Sequence, residues 1–271
     1  MNAAVALIAV TAAAIAMATG TGAVGAAAPE DMALVPAGPP AAFFVPGGSG
    51  VAAAGADRGA SADVPAFLID RRPVTRRQFA EFLRRRPEWS RSRVAAVLAD
   101  AHYLEDWASD FDAGTRVPSD APVTRVSWFA ANAYCQWRGK ELPTVDQWER
   151  AAAGGGKDTA ATRDRILRWY SEPATEPLGV VGRGAPNAYG VSDLHGLIWE
   201  WTLDFNSTLI STESRDPGGK DDPLFCGSGS LGAVDPSDYA TFMRYALRNS
   251  LRANYTTSRL GFRCAGEPVQ P

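Results

Sequence analysis

A chain of 271 residues with 27 basic and 30 acidic side chains has a net charge of −3, which leaves no basic stripe for nucleic acid and no polybasic patch for anionic lipid. This length buries a core without covalent staples, as one large domain or two small ones, so size does not demand a disulfide from Cys135, Cys226 and Cys264. Eight Trp, seven Tyr and eleven Phe suit a loop-rich domain held by large side chains.

The first element is an apolar run from Ala3 to Met17, followed by small residues, with Ala26, Ala27 and Ala28 offering an A-x-A cleavage site before Glu30 and Asp31. It reads as a secretory signal over residues 1–28. An uncleaved anchor is the competing reading, against which Gly and Thr interrupt the run before it reaches a full span. No twin arginine is present and no cysteine follows the signal, so lipid attachment there is excluded. Export to a periplasmic or extracellular space puts the mature chain where disulfides persist, with no stable membrane association after cleavage.

Residues 29–64 are rich in Ala, Gly and Pro, and "MALVPAG" and "AFFVPGG" predict two short strands in a flexible stretch. Phe67, Leu68 and Ile69 then read as a strand, and Thr75 as the cap of a helix with Phe79, Phe82 and Leu83 on one face and Arg84, Arg85 and Arg86 at its solvated end. In "VTRVSWFAANAYCQWRGKELPTVDQWERAAAG" Ser127 caps a helix presenting Trp128, Ala131, Tyr134 and Cys135, and Gly139 stops it. Thr144 and Gln147 form a T-x-x-Q capping box for a second helix with Trp148 and Ala151 inward. After Gly154 the pattern predicts mostly turns and short strands. With no internal repeat and no linker after residue 65, residues 65–267 read as one domain.

Three stretches, "PVTRVSWFAANAYCQWRGKELPTVDQWERAA", "NAYGVSDLHGLIWEWTLDF" and "LGFRCA", resemble, in the same order, the formylglycine-generating enzyme (sulfatase-modifying factor) family, with the match beginning near residue 32. The resemblance implies an α+β, C-type-lectin-like fold rich in loops. Relatives on that fold include copper-dependent oxidases that convert a substrate cysteine to formylglycine, the lectin-like half of sulfoxide synthases, pyoverdine-maturation proteins and proteins accompanying copper nitrite reductases. The closing stretch from Phe225 to Ala265 looks most like the last two groups. Family members commonly join the cysteines that match Cys135 and Cys264.

The copper oxidases hold Cu(I) with two thiolates upstream of the "GFRC" motif. The matching positions fall near Asp235 and Ala240, neither a cysteine. That departure disfavours formylglycine generation and leaves Cys226 as a redox-active or metal-binding thiol, or else as a buried inert one or part of an intermolecular bridge. Trp199 and Arg248 match a groove tryptophan and a groove arginine, and with Cys226, Asp235 and Tyr245 they form the candidate catalytic set. For Arg248 an equal alternative is a place in an amphipathic segment covering the core. "DLHGLIWEWT" resembles a calcium loop, with side-chain oxygens from Asp193 and Glu200 and carbonyls from Gly196 and Ile198 suiting a hard cation. The competing reading pairs Glu200 with an arginine and leaves Asp193 capping a turn. Two histidines, His102 and His195, cannot build a three-histidine iron site, and His195 reads as a surface residue. No nucleophile elbow, phosphate loop or dinucleotide glycine pattern occurs.

The resemblance thus implies an exported protein supporting oxidative maturation of a peptide-like small molecule or a partner metalloenzyme, with structural calcium and, at the groove, copper. As an enzyme it would be an oxidoreductase without the usual cysteine pair. A non-catalytic, lectin-like module for a periplasmic copper protein is the alternative. Formylglycine generation on a sulfatase cysteine comes third.

Overall fold

The framework is a three-stranded antiparallel sheet in the order β1-β2-β5. In it β1 (Met32–Val35) pairs with β2 (Phe67–Asp70), Met32 opposite Asp70 and Val35 opposite Phe67, and β2 pairs with β5 (Ala265–Gly266) through Ile69 and Ala265. The computed structural model describes residues 29–39, 63–155, 159–171, 177–206, 243–244 and 246–268, with 159–163 by backbone alone. All of them belong to one compact unit, Ala28–Pro268. The "MALVPAG" strand is therefore an edge strand of the core, with Ala33 and Val35 fully buried, rather than part of a flexible leader. The "AFFVPGG" strand lies outside the described residues.

Helix α1 (Arg76–Arg85) begins with a reciprocal capping box between Thr75 and Gln78, which satisfies two donors that the first turn leaves open. Helix α2 (Trp128–Trp137) is capped by the Ser127 hydroxyl, and α3 (Val145–Ala152) by the Thr144–Gln147 box. The inward faces of α1 and α2 meet in an aromatic cluster. Phe79 stacks on Tyr134 at 5.9 Å, and Phe82 and Phe262 meet the same tyrosine edge-on at 5.5 and 5.3 Å. A second apolar cluster packs Trp148 and Ala151 of α3 against Val35, Phe67 and Ile69 of the sheet, with Val191 and Leu194 closing it.

Cys135 of α2 and Cys264 before β5 are bonded, with Cα atoms 5.6 Å apart and a sequence separation of 129. Closing so long a loop stabilises by about 4–5 kcal/mol in the chain-entropy picture. Main-chain bonds continue the junction. Asp70 N donates to Cys264 O at 2.8 Å, and Lys140 N to Cys135 O at 2.8 Å.

A short parallel pair, β3 (Trp199–Glu200) with β4 (Leu260–Gly261), forms the second sheet. Gly261 is required there. A Cβ at that position would collide with the Val123 carbonyl oxygen and lie 2.8 Å from Ile198 Cδ1. One stretch differs in kind from the sequence pattern. Residues expected to form turns make α4 (Thr159–Ser171), 13 residues long.

Candidate functional site

The site grows from α3. Val145, Trp148, Glu149 and Ala152 recur at helical spacing and are all buried, so the apolar stripe carries one carboxylate into the interior. A lone buried carboxylate is costly and calls for a partner. Glu149 has two. Arg244 donates through Nη2 at 2.7 Å and Nε at 3.0 Å, and Arg248 through Nη1 at 2.7 Å. Burial pushes the Glu149 carboxyl up, but the two guanidiniums outweigh it and hold it down, at about 2. Arg248 also lies over the Trp148 ring, 4.9 Å from its centroid, within cation–π range.

From Trp148 the network passes to β3. Its indole N–H donates to Glu200 Oε2 at 2.7 Å. The same carboxylate receives Arg263 Nε at 2.7 Å and Nη2 at 2.8 Å, and both side chains are fully buried. Arg263 reaches on to the carbonyls of Ser192 and Asp70. The arginine of "GFRC" therefore ties β3 to the end of β2.

Above this polar layer runs a narrow cleft of about 10 Å³, with Trp148, Trp169, Trp199, Arg244, Arg248 and Leu251 in its walls. Trp199, expected in an open groove, is covered. Trp169 of α4 lies 4.8 Å from it, and Tyr170 stacks on it at 5.3 Å and 20°. Burial raises the Tyr170 hydroxyl to about 12, so it stays protonated at neutral pH. His195 is half-buried rather than on the surface, edge-on to Trp148 at 5.5 Å. Burial, then the nearby Arg244 charge, lowers its pKa to about 3, so the imidazole is neutral. Trp201 packs inside, fully buried.

The calcium-loop residues adopt the competing arrangement. Asp193, at φ +61°, accepts the Gly182 N–H through Oδ2. Both oxygens of Glu200 are occupied by Arg263 and Trp148. A Ca²⁺ ion takes six to eight oxygen ligands, and the Arg263 charge already matches Glu200, so these residues do not fit a calcium site. Gly196 keeps a turn conformation at φ +107°, and the Ile198 side chain is buried.

Of the candidate catalytic residues, the structure brings Trp199 and Arg248 into one cleft. Cys226, Asp235 and Tyr245 lie outside the described residues, as do Tyr239 and Ala240. Among the described residues, no three His, Cys, Asp or Glu side chains gather as a metal site would require. Sequence reasoning missed Glu149, although its place in the 145/148/149/152 stripe was the signal. It also missed Trp169 and Tyr170, whose helix was read as turns.

An α+β domain with few short strands, a bridge from the central helix to the last strand and a tryptophan-arginine cleft defines the formylglycine-generating class of lectin-like folds. The chain belongs to the family described as the sulfatase-modifying factor enzyme 1-like domain, which matches residues 28–268. It is 30% identical over 252 residues to a formylglycine-generating enzyme of Thermomonospora curvata, covering 75% of this chain and 82% of that protein. It is 27% identical over 279 residues to the inactive C-alpha-formylglycine-generating enzyme 2 of Mus musculus, covering 86% and 87%. Among solved structures it is similar to that of CarF, with a TM-score of 0.47 and 20% identity over 89% of this chain and 99% of that one.

Proposed function

We propose that this chain is an exported member of the family that supports oxidative maturation of a peptide-like molecule or a partner metalloenzyme, held at the Trp199 cleft. The observation behind this reading is the meeting of Trp199 and Arg248, from separate segments, in one aromatic-walled cleft. The Trp169 ring, lying over Trp199, offers a flat apolar face for a peptide. Leu247 and Leu251 line the wall. The Tyr170 hydroxyl, protonated at neutral pH, is engaged by Arg244. Copper would supply the redox chemistry. Its soft donor in this reading, Cys226, lies outside the described residues, so no step is routed through the metal.

A second reading, a binding module without chemistry, draws support from the same place. Arg248 is held on Glu149, and Trp199 is covered by α4. The family match spans relatives described both as generating formylglycine and as inactive.

Elemental analysis of protein taken from the exported fraction, with thiols counted before and after reduction, separates the two. Bound copper with one free thiol, Cys226, is the result expected for oxidative maturation. One free thiol without copper, together with a co-isolated partner whose chemistry is unchanged when this protein is removed, overturns that reading in favour of the module.

A further inference from the structure

A second pocket, about 140 Å³ and open to solvent, lies between the end of β2, the start of α1 and the end of α2. It shares no lining residue with the Trp199 cleft, and nothing in the functional reading above uses it. Four cations face it, Arg72, Arg77, Arg138 and Lys140, with two carboxylates, Asp31 and Asp70.

Two of the four charges are spent. Lys140 Nζ sits between Asp70 at 2.7 Å and Asp31 at 3.0 Å, and Arg77 pairs with Asp120 at 2.8 Å. The other two are less committed. Arg72 has no ion pair or hydrogen bond among the described residues, and its stem packs against Gly182, where a Cβ would lie 2.7 Å from Arg72 Cδ. Arg138 is held loosely, 4.0 Å from Asp31 and 5.9 Å from the centroid of the Trp137 ring. The positive end of α1 adds to the same field, and its first turn holds no acidic residue to oppose it. The α1 N–H groups themselves are occupied, Arg76 N by Ala121 O and Arg77 N by Ser119 O, so a ligand would be held by side chains. Gln78 spends its carbonyl oxygen on Thr75, which leaves its NH₂ as a donor.

The pocket is also fixed in shape. Asp70 Oδ2 accepts from Cys264 N at 2.9 Å, and Lys140 N donates to Cys135 O at 2.8 Å. Its anchoring charges thus hang from the two halves of the disulfide. A preformed pocket with one unpaired guanidinium, a second held only loosely and the Gln78 amide donor suits a compact, multiply charged oxyanion, because planar guanidinium forks present paired N–H groups to such oxygens.

We infer that this pocket is an oxyanion site for a tetrahedral dianion of the phosphate or sulfate class, with Arg72 and Arg138 as its principal ligands. The test is calorimetric titration of the full chain with inorganic phosphate, with sodium chloride at matched ionic strength as control and succinate as an extended dicarboxylate dianion. Saturable one-to-one phosphate binding is expected. Arg72→Ala and Arg138→Ala should each weaken it about tenfold or more, as the loss of a charge-assisted hydrogen bond implies, while Trp199→Ala leaves it unchanged. Both arginines are exposed, and circular dichroism of the variants checks that they fold. A response to phosphate no greater than to chloride overturns the inference. So does wild-type affinity in both arginine variants, or binding of succinate without phosphate.

Discussion

The two pockets use charge in opposite ways. Around the Trp199 cleft, Glu149, Arg244, Arg248, Glu200 and Arg263 are buried and paired with one another. In the pocket at the start of α1, the Arg72 and Arg138 charges remain in water, the first unpaired among the described residues and the second only loosely held by Asp31. Buried charge must be neutralised by the fold itself, and removing one partner strands the other. Solvated charge costs the fold little and stays available to a ligand.

The sharpest way to break this contrast is Glu149→Ala. It leaves two cations buried without their carboxylate and should cost about 3–5 kcal/mol, read as a fall in the denaturant midpoint. Replacing both bridge cysteines, Cys135→Ser with Cys264→Ser, should cost about 2–5 kcal/mol. Because Asp70 and Lys140 are bonded to those residues, it should also weaken phosphate binding at the α1 pocket, which titration of the double variant would show.

Acid distinguishes two groups on the cleft side. His195 is neutral when folded, with its pKa lowered to about 3, whereas in the unfolded chain it binds a proton below about pH 6.5. Its contribution is whole above about pH 6.5 and is lost as pH falls toward 3, at up to about 1 kcal/mol per unit. Glu149, held down to about 2, contributes fully above its unfolded value near 4.5 and loses that contribution as pH falls from there toward 2. Melting temperatures measured between pH 7 and 3 should therefore decline in two stages. His195→Phe should flatten the decline between about pH 6.5 and 3, most cleanly above about pH 4.5 where Glu149 does not contribute, and an unchanged slope there would refute the assignment.

Smaller effects sharpen the comparison. Trp169→Ala should remove about 0.5–1.5 kcal/mol of ring contact and expose Trp199, seen as increased quenching of its fluorescence by acrylamide. Arg77→Ala breaks an exposed pair and should cost at most about 1 kcal/mol, within error of wild type in chemical denaturation.

The helices that sequence made legible are those whose signals are local. Thr75, Ser127 and Thr144 announce their caps through hydrogen bonds to residues three positions on. Helix α4 escaped because its apolar stripe is short: Ile166, Trp169 and Tyr170 stand at i, i+3 and i+4, but Thr162 and Arg163, one turn earlier, do not continue it. Its place on Trp199 is a tertiary fact. The fate of Glu200 was similarly open, since a carboxylate in a Gly-containing turn is equally suited to a cation or a guanidinium until Arg263 arrives from far along the chain. The cap at Asp193 and the pairing of Glu200 were both stated as alternatives, and packing chose between them. The Glu149 stripe was written in the sequence but reads as apolar only when its carboxylate is seen to be paid for by arginines from residues 244–248.

The sheet also carries a consequence for how the molecule comes to be. β1 begins at Met32, and the strand that completes its sheet ends at Gly266, so the two ends of the domain flank the same strand, β2. Pairings so distant in sequence fold slowly. A ribosome releasing this chain exposes β1 and β2 long before β5 can join them, and the emerging polypeptide remains an incomplete sheet with an open edge until nearly all of the domain has been made.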